Sequence, residues 1–151
     1  MINMNEKMKA IISTYCQKEM EPRIESIIRN IVDHVKEVYQ CIVYDPSGDI
    51  QEDQIDLEKI ISFSGDMTGY EVDSNEIIID KEDIYESCHM ALADVLIDEL
   101  QRKYSGKKFV VYILDMDESI AVRFHTYRED EGLWLDEDLN KYDEPILYVF
   151  R

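Results

Sequence analysis

The sequence predicts an α+β domain, with amino-terminal helices and one long central helix packed on a mostly antiparallel sheet. Apolar residues recur at helical spacing through the first forty residues and again over residues 81–104. Two strand-like runs, 109–114 and 119–127, are divided by a short polar stretch with the length of a hairpin connection. Because strands and helices do not alternate strictly, a doubly wound parallel sheet is disfavoured.

A single domain over residues 1–151 is expected, because a chain of 151 residues is close to the average domain and too short for two well-filled cores. Hydrophobic residues make up 45% of the sequence, and only five Gly and three Pro are present. This composition favours a folded core over disorder, linkers or repeats.

The first forty residues are predicted to form two helices or one bent helix. Pro22 suits the first turn of a helix, where its missing N–H has no intrahelical partner, so a break is expected near Glu21. The apolar positions at helical spacing are Met4, Met8, Ile11, Ile12, Tyr15, Ile24, Ile27, Ile28, Ile31, Val32, Val35 and Val38.

Short strands are predicted in the middle of the chain. The apolar run 41–44 ends at Asp-Pro-Ser-Gly, where proline and glycine favour a turn. Runs 60–63, 70–72 and 76–79 are interpreted as further strands, the last two joined in a hairpin through residues 73–75.

The long central helix is predicted over residues 81–104. Asp80 is a preferred N-cap residue, and Arg102 and Lys103 place positive charge near the last carbonyls. The apolar stripe of this helix consists of Ile84, Cys88, Ala91, Leu92, Val95, Leu96 and Leu100.

The carboxyl-terminal third is predicted to contain three strands. Runs 109–114 and 119–127 form an antiparallel pair, and run 146–150 is a further strand. Between runs 119–127 and 146–150 lies a polar segment, residues 128–144, which is interrupted by Leu133, Trp134, Leu135 and Leu139.

Charge is the other strong signal. Thirty-four acidic against 16 basic residues give a formal net charge of −18, so the chain lacks the basic surface that binding to nucleic acid phosphates requires. Residues 51–100 carry fifteen acids and two bases, and residues 128–144 carry eight acids and two bases around the only tryptophan.

Two interpretations of residues 128–144 are open. The acids can serve solubility alone, while Trp134 anchors a loop to the core. Alternatively, the acids steer a basic protein partner towards an aromatic anchor. Under the second interpretation, the partner-binding residues are Tyr127, Glu129, Asp130, Glu131, Trp134, Asp136, Glu137 and Asp138.

The sequence predicts no catalytic residue and no enzyme. Cys88 and His89 are adjacent, but neighbours on a helix point about 100° apart and do not form a nucleophile–base pair. His34 and His125 have no His or Cys at ligand spacing. The motifs GxxxxGK[ST], GxGxxG and GxSxG are absent, so no cofactor is predicted.

Carboxylate clusters are the remaining candidates for binding a hard cation. They occur at residues 115–118 and 136–138, and neither has the loop and distal glutamate of an EF-hand. Clustered acids at a turn are more often simply solvated, so no metal site is predicted.

A cytoplasmic location is expected. The amino terminus has no apolar signal-peptide core, and no apolar run approaches the roughly 20 residues of a membrane span. Cys16, Cys41 and Cys88 form no CxxC pair and leave one cysteine unmatched, which suits a reducing compartment. All three are predicted to be small buried hydrophobes.

The run Phe-His-Thr-Tyr-Arg-Glu-Asp-Glu-Gly-Leu-Trp-Leu, residues 124–135, belongs to a short, strongly acidic α+β chain with a helical amino terminus and no catalytic motif. In size, charge and architecture the chain resembles the immunity proteins of bacterial polymorphic-toxin and contact-dependent inhibition systems. The resemblance implies a protein that binds and neutralises one cognate toxin, often a nuclease with a basic substrate cleft. It transfers no residue role.

Alternatives remain open at this point. An acidic mimic of DNA would compete with DNA for several nucleic-acid-binding proteins, whereas an immunity protein would bind its own toxin alone. A hydrolase or transferase would use His125 with carboxylates. The chain is either a monomer or a dimer, and a dimer is expected if an apolar strand such as 109–114 pairs at a sheet edge.

Overall fold

The computed structural model describes residues 1–14, 22–84 and 88–151. The helices in these ranges are Glu6–Thr14 (α1), Pro22–Asp33 (α2), Leu57–Ser64 (α3), Met67–Ser74 (α4) and His89–Lys103 (α5). The strands are Ile2–Met4 (β1), Val35–Val38 (β2), Cys41–Tyr44 (β3), Ile77–Asp80 (β4), Phe109–Asp115 (β5), Ser119–Thr126 (β6) and Ile146–Phe150 (β7). None of these helices has the length and apolar character that crossing a bilayer requires.

The main sheet contains five strands in the order β1-β7-β5-β6-β4, and every neighbouring pair is antiparallel. Ile113 of β5 lies opposite Val122 of β6 on one side and Leu147 of β7 on the other. The predicted antiparallel pair and the predicted last strand are therefore confirmed. Because β5 is the central strand, the expectation that residues 109–114 offer a free edge for a dimer is wrong.

Helices α2 and α5 cover one face of this sheet. Side chains alternate along a strand, so Val111 and Ile113 of β5 face this layer. They join Ile28 of α2 and Leu92 and Leu96 of α5 in one cluster of buried residues. Burial of this apolar surface is the main contribution to stability, and the layer arrangement confirms the α+β class.

The central helix is shorter than predicted. α5 has 15 residues, and residues 81–83 form a separate 3-10 turn in which Asp80 makes no side-chain cap hydrogen bond. Lys81 is held at the sheet instead, because its ammonium lies 2.7 Å from a carboxylate oxygen of Asp115 and its amide donates to the Glu118 carbonyl. Strand pairing thus overrides the helical pattern before residue 84, and residues 85–87 lie outside the described ranges.

Two strands predicted in the middle of the chain, 60–63 and 70–72, belong to helices α3 and α4. Asp56 and Asp66 each accept a hydrogen bond from the amide three residues on, at 3.2 and 2.7 Å, so each helix begins at an aspartate N-cap. The hairpin predicted through residues 73–75 is therefore wrong, because these residues end α4. The predicted strands on either side are confirmed as β3 and β4.

The predicted amino-terminal helices are confirmed as α1 and α2, with Pro22 as the first residue of α2; Glu21 lies outside the described residues. Residues 35–38, predicted to be helical, instead form β2, which pairs with β3 in a two-stranded sheet. Tyr39 and Gln40 connect these strands with φ values of 47° and 67°. Two residues with positive φ give the backbone twist that a tight hairpin needs.

The second face of the main sheet is covered by residues 128–144, which we call the acidic cover. Val110 and Tyr112 of β5 and Tyr148 of β7 form a buried cluster there with Leu139 of the cover. The acidic segment is therefore a packed layer on the face opposite the helices.

Candidate protein-binding surface

Trp134 lies in the middle of the acidic cover and is half-buried. Its ring meets the ring of Tyr112 edge-on, with 5.3 Å between ring centroids, and the Arg123 guanidinium lies 5.0 Å from its centre. The backbone N–H of Trp134 donates to the Tyr112 hydroxyl at 3.1 Å. Aromatic and cation–π contacts of this kind join the cover to β5 and β6, so Trp134 anchors the segment to the sheet.

His125 and Tyr112 form a hydrogen-bonded pair beneath Trp134. Nδ1 of His125 is 2.8 Å from the carbonyl oxygen of Thr126, which only accepts, so Nδ1 carries the proton. Burial lowers the pKa of His125 to about 4, so the ring is neutral near pH 7 and its Nε2 accepts from the Tyr112 hydroxyl at 3.3 Å. His125 is fully buried with both nitrogens occupied, which leaves it no nitrogen for a substrate.

Tyr127, the other predicted aromatic anchor, is half-buried at the start of the cover. Its ring packs against Phe150 of β7 with 4.6 Å between ring centroids. Like Trp134, this residue is part of the packing between the cover and the sheet.

Glu131 is directed into the fold rather than towards solvent. Its carboxylate accepts hydrogen bonds from the amides of Met67 and Thr68, both at 3.0 Å, and from the Thr68 hydroxyl at 2.8 Å. Burial acts to raise the pKa of Glu131, but these hydrogen bonds and the nearby Arg128 hold it below its ordinary value. Glu131 thus binds the N-terminus of α4, where negative charge is favoured.

Arg128 completes the link between the acidic cover and α4. One guanidinium nitrogen lies 2.5 Å from Glu71 and 3.7 Å from Glu131. Glu71 is fully buried and also accepts from the Ile42 amide at 2.6 Å and from the Thr126 hydroxyl at 2.7 Å. Burial raises the pKa of Glu71 above its ordinary value, although Arg128 and these hydrogen bonds oppose the rise. One carboxylate therefore ties α4, β3, β6 and the cover together.

The other five predicted contact residues face solvent: Glu129, Asp130, Asp136, Glu137 and Asp138. Asp136 pairs with Lys141 at 2.7 Å. The remaining four form no ion pair with any residue that the structure describes. The structure therefore divides the predicted patch into an inner part that packs and an outer part that presents carboxylates.

Basic side chains of the described ranges are largely engaged within the fold. Lys103 donates to two carbonyl oxygens of the α2–β2 region at 2.8 and 2.6 Å. Others form ion pairs, namely Lys36 with Asp45, Lys81 with Asp115, Arg123 with Glu76, and Arg151 with Asp94 and Asp98. The excess of acids is consequently left at the surface, where it sets the sign of the external field.

A residue that the sequence did not single out is Phe63, whose side chain is 93% exposed. It lies on α3, none of whose residues is buried. The interpretation of residues 60–63 as a strand does not predict this exposure. The signal that marks the helix is Asp56 as an N-cap, followed by Leu57, Ile60 and Ile61 at helical spacing.

The remaining candidates for chemistry are the cysteines and the groups of side chains that could hold a metal ion. Cys41 and Cys88 are buried as predicted, and Cys16 lies outside the described residues. Burial raises the pKa of the Cys41 thiol to about 11, with the Glu71 carboxylate adding to the rise, so this thiol is unreactive near pH 7. Within the described ranges, no group of three or more His, Cys, Asp or Glu side chains is arranged to hold a metal ion.

The fold and this surface define an α+β protein in which helices α2 and α5 cover one face of the main sheet and the acidic segment covers the other. The chain belongs to the Uncharacterized protein PM0498 family, whose family model matches residues 3–150. Comparison with curated proteins and with solved structures gives no match. The function is therefore inferred from the residues themselves.

Proposed function

We propose that this protein binds and neutralises one basic protein partner without catalysis, as an immunity protein does with its cognate toxin. The observation that carries the proposal is the set of exposed carboxylates on the acidic cover that form no ion pair with any described residue, Glu129, Asp130, Glu137 and Asp138. The contacts of Trp134 and Arg128 hold the cover on the sheet, so the backbone that carries these carboxylates has a defined place on the surface. Fixed charges of one sign raise the association rate of a partner of the opposite sign.

A nuclease is the partner class that this surface suits best. Such an enzyme must present lysines and arginines to phosphates, and a surface rich in carboxylates can occupy or screen that cleft. The proposed place of action is the cytoplasm, where buried thiols such as Cys41 and Cys88 remain reduced.

The class of partner is tested by affinity capture with the full chain in native lysate. One basic protein recovered in stoichiometric amount is the expected result. Recovery of several nucleic-acid-binding proteins that DNA displaces would instead favour the DNA-mimic alternative. Recovery of no basic protein would contradict both.

The role of charge is tested with the captured partner and the double variant Glu129→Gln/Asp130→Asn. We expect the association rate constant to fall by roughly threefold or more with little change in dissociation, and rising salt to reduce the difference. The matched control is Asp117→Asn/Glu118→Gln, because these exposed acids lie in the β5–β6 turn at the opposite end of β6 from residue 128. Equal association rates for the two double variants would contradict steering by the cover.

A further inference from the structure

We propose that α3 is the docking surface for the apolar part of this basic partner, with Phe63 as its anchor. The inference rests on the proposed function and assigns the contact to a region outside the acidic cover. The α3 surface is defined by the apolar residues Ile60, Ile61 and Phe63 and the acids Glu52, Asp53, Asp56 and Glu58.

The exposure of the helix is the first argument. Phe63 is 93% exposed and Ile61 is 36% exposed, although a helix this short normally depends on burying one face. At about 100° per residue, Ile60 and Phe63 are neighbours on the helix surface, with Ile61 on the other side of Ile60. Half-buried Ile60 and exposed Phe63 therefore form one apolar strip, and its end at Phe63 has no cover among the described residues. Ile61 lies about 160° around the helix from Phe63. Such strips rimmed by polar groups mark interaction sites.

The order of the helix is the second argument. The Asp56 carboxylate caps its first turn at 3.2 Å from the Lys59 amide. At the other end, Gly65 takes a φ of 91° and its N–H donates to the Ile61 carbonyl at 2.9 Å. Phe63 is thus presented on a helix whose two ends are both satisfied. A residue whose backbone is already ordered in this way loses little backbone freedom on binding.

The charge around the helix decides the occupant. Residues 49–66 contain six acids and a single base, Lys59. A second copy of this chain would bring the same negative field against itself and be repelled. A basic protein that offers an apolar pocket rimmed by lysine or arginine complements both the strip and its acids.

The test places the photo-crosslinking residue p-benzoylphenylalanine at position 63 and, separately, at position 137 of the full chain in its native host. We expect position 63 to crosslink to the same basic protein that the unmodified chain captures. With that protein purified, Phe63→Ser should accelerate dissociation by at least tenfold and change association by less than about twofold. The control is Met116→Ser, because Met116 is also apolar and 47% exposed but lies in the β5–β6 turn.

The outcomes separate this inference from the proposed function. A crosslink from position 137 alone, with unchanged dissociation for Phe63→Ser, overturns the α3 surface and leaves the acidic cover as the contact. A crosslink from position 63 to a second copy or to an acidic protein overturns the charge argument. Absence of a basic partner at both positions overturns the proposed function and the inference together. Circular dichroism of Phe63→Ser should match the unmodified protein, so that lost binding is not lost folding.

Discussion

The acidic cover and the α3 surface each contain several acids around apolar residues and an aromatic ring. The ring of the cover faces the sheet, whereas the ring of α3 faces solvent. In the cover, Trp134 packs on Tyr112 and Arg123, which lie on the strands beneath it. On α3, Phe63 remains 93% exposed. Trp134 is thus held within the fold because β5 and β6 supply its neighbours, whereas Phe63 stays exposed and is the residue that we propose as a partner contact.

The largest expected effect comes from removing the carboxylate that fixes the cover. Glu71→Ala leaves Arg128 without its buried partner, and breaking a buried pair in this way costs roughly 3–5 kcal/mol of unfolding free energy. Urea unfolding measures the loss. Glu6→Ala serves as the control, since Glu6 pairs with Lys9 on the exposed surface of α1 and its removal should cost less than about 1 kcal/mol. Similar losses for both variants would show that the cover is not held through Glu71.

A pH effect of intermediate size is expected from His125 beneath the cover. Its folded pKa of about 4 lies below the unfolded value of 6.5, so the unfolded chain binds the proton first. The contribution of neutral His125 to the unfolding free energy is constant above pH 6.5. It is lost as pH falls towards 4, at roughly 1.4 kcal/mol per pH unit.

His125→Gln isolates that contribution, because a glutamine at this position does not titrate. The variant should be less stable near pH 7, but its unfolding free energy should fall less steeply between pH 6.5 and 4.5. Denaturant titrations of both proteins across this range give the two slopes. Parallel slopes would mean that His125 takes up its proton equally in the folded and unfolded proteins, and so would contradict the lowered pKa.

The smallest effect, and the most direct contrast, comes from truncating the two aromatic rings. Full burial of a large aromatic ring makes its removal cost roughly 3–5 kcal/mol, so half-buried Trp134→Ala should cost about 2 kcal/mol. Phe63→Ala should change the unfolding free energy by no more than about 0.5 kcal/mol, because the exposed Phe63 ring makes little apolar contact with the rest of the fold. Thermal melts measure both. Equal losses would end the distinction between the two surfaces.

The parts of the fold that follow local patterns were predictable from the sequence. Strands β5, β6 and β7 carry apolar runs between polar connections, and α1 and α2 carry helical spacing. The helix α4 was not predictable in this way, because its buried residues Thr68 and Glu71 are polar and its C-cap residue Asn75 is buried as well. Asn75 donates to the carbonyls of Ile42 and Phe124 at 2.8 and 3.0 Å and accepts from the Tyr44 amide at 2.7 Å. The Asn75 side chain thus makes hydrogen bonds to strand backbone groups that a neighbouring strand would otherwise make. Hydrophobic periodicity does not reveal such a role.

The candidate site was predictable only in its chemistry. The segment 128–144 was correctly placed as a distinct acidic unit, and five of its predicted contact residues do face solvent. The inward direction of Glu131 depends on the N-terminus of α4, about sixty residues earlier in the chain. The exposure of Phe63 was not predictable, because a short apolar run fits either a strand or a helix. Only the tertiary structure shows which faces of such a run are covered.

The pairing of β1 with β7 has a consequence for synthesis on the ribosome. The amino group of Met1 donates to the Phe150 carbonyl, 149 residues along the chain, at 2.8 Å. About 140 residues separate β1 from β7, so the backbone groups of β1 find their partner strand only after those residues have been made. Completion of the sheet is therefore a late event. A circular permutant that joins these neighbouring ends and opens the β5–β6 turn would begin with β6 and finish with β5, so that β1 and β7 are made next to each other.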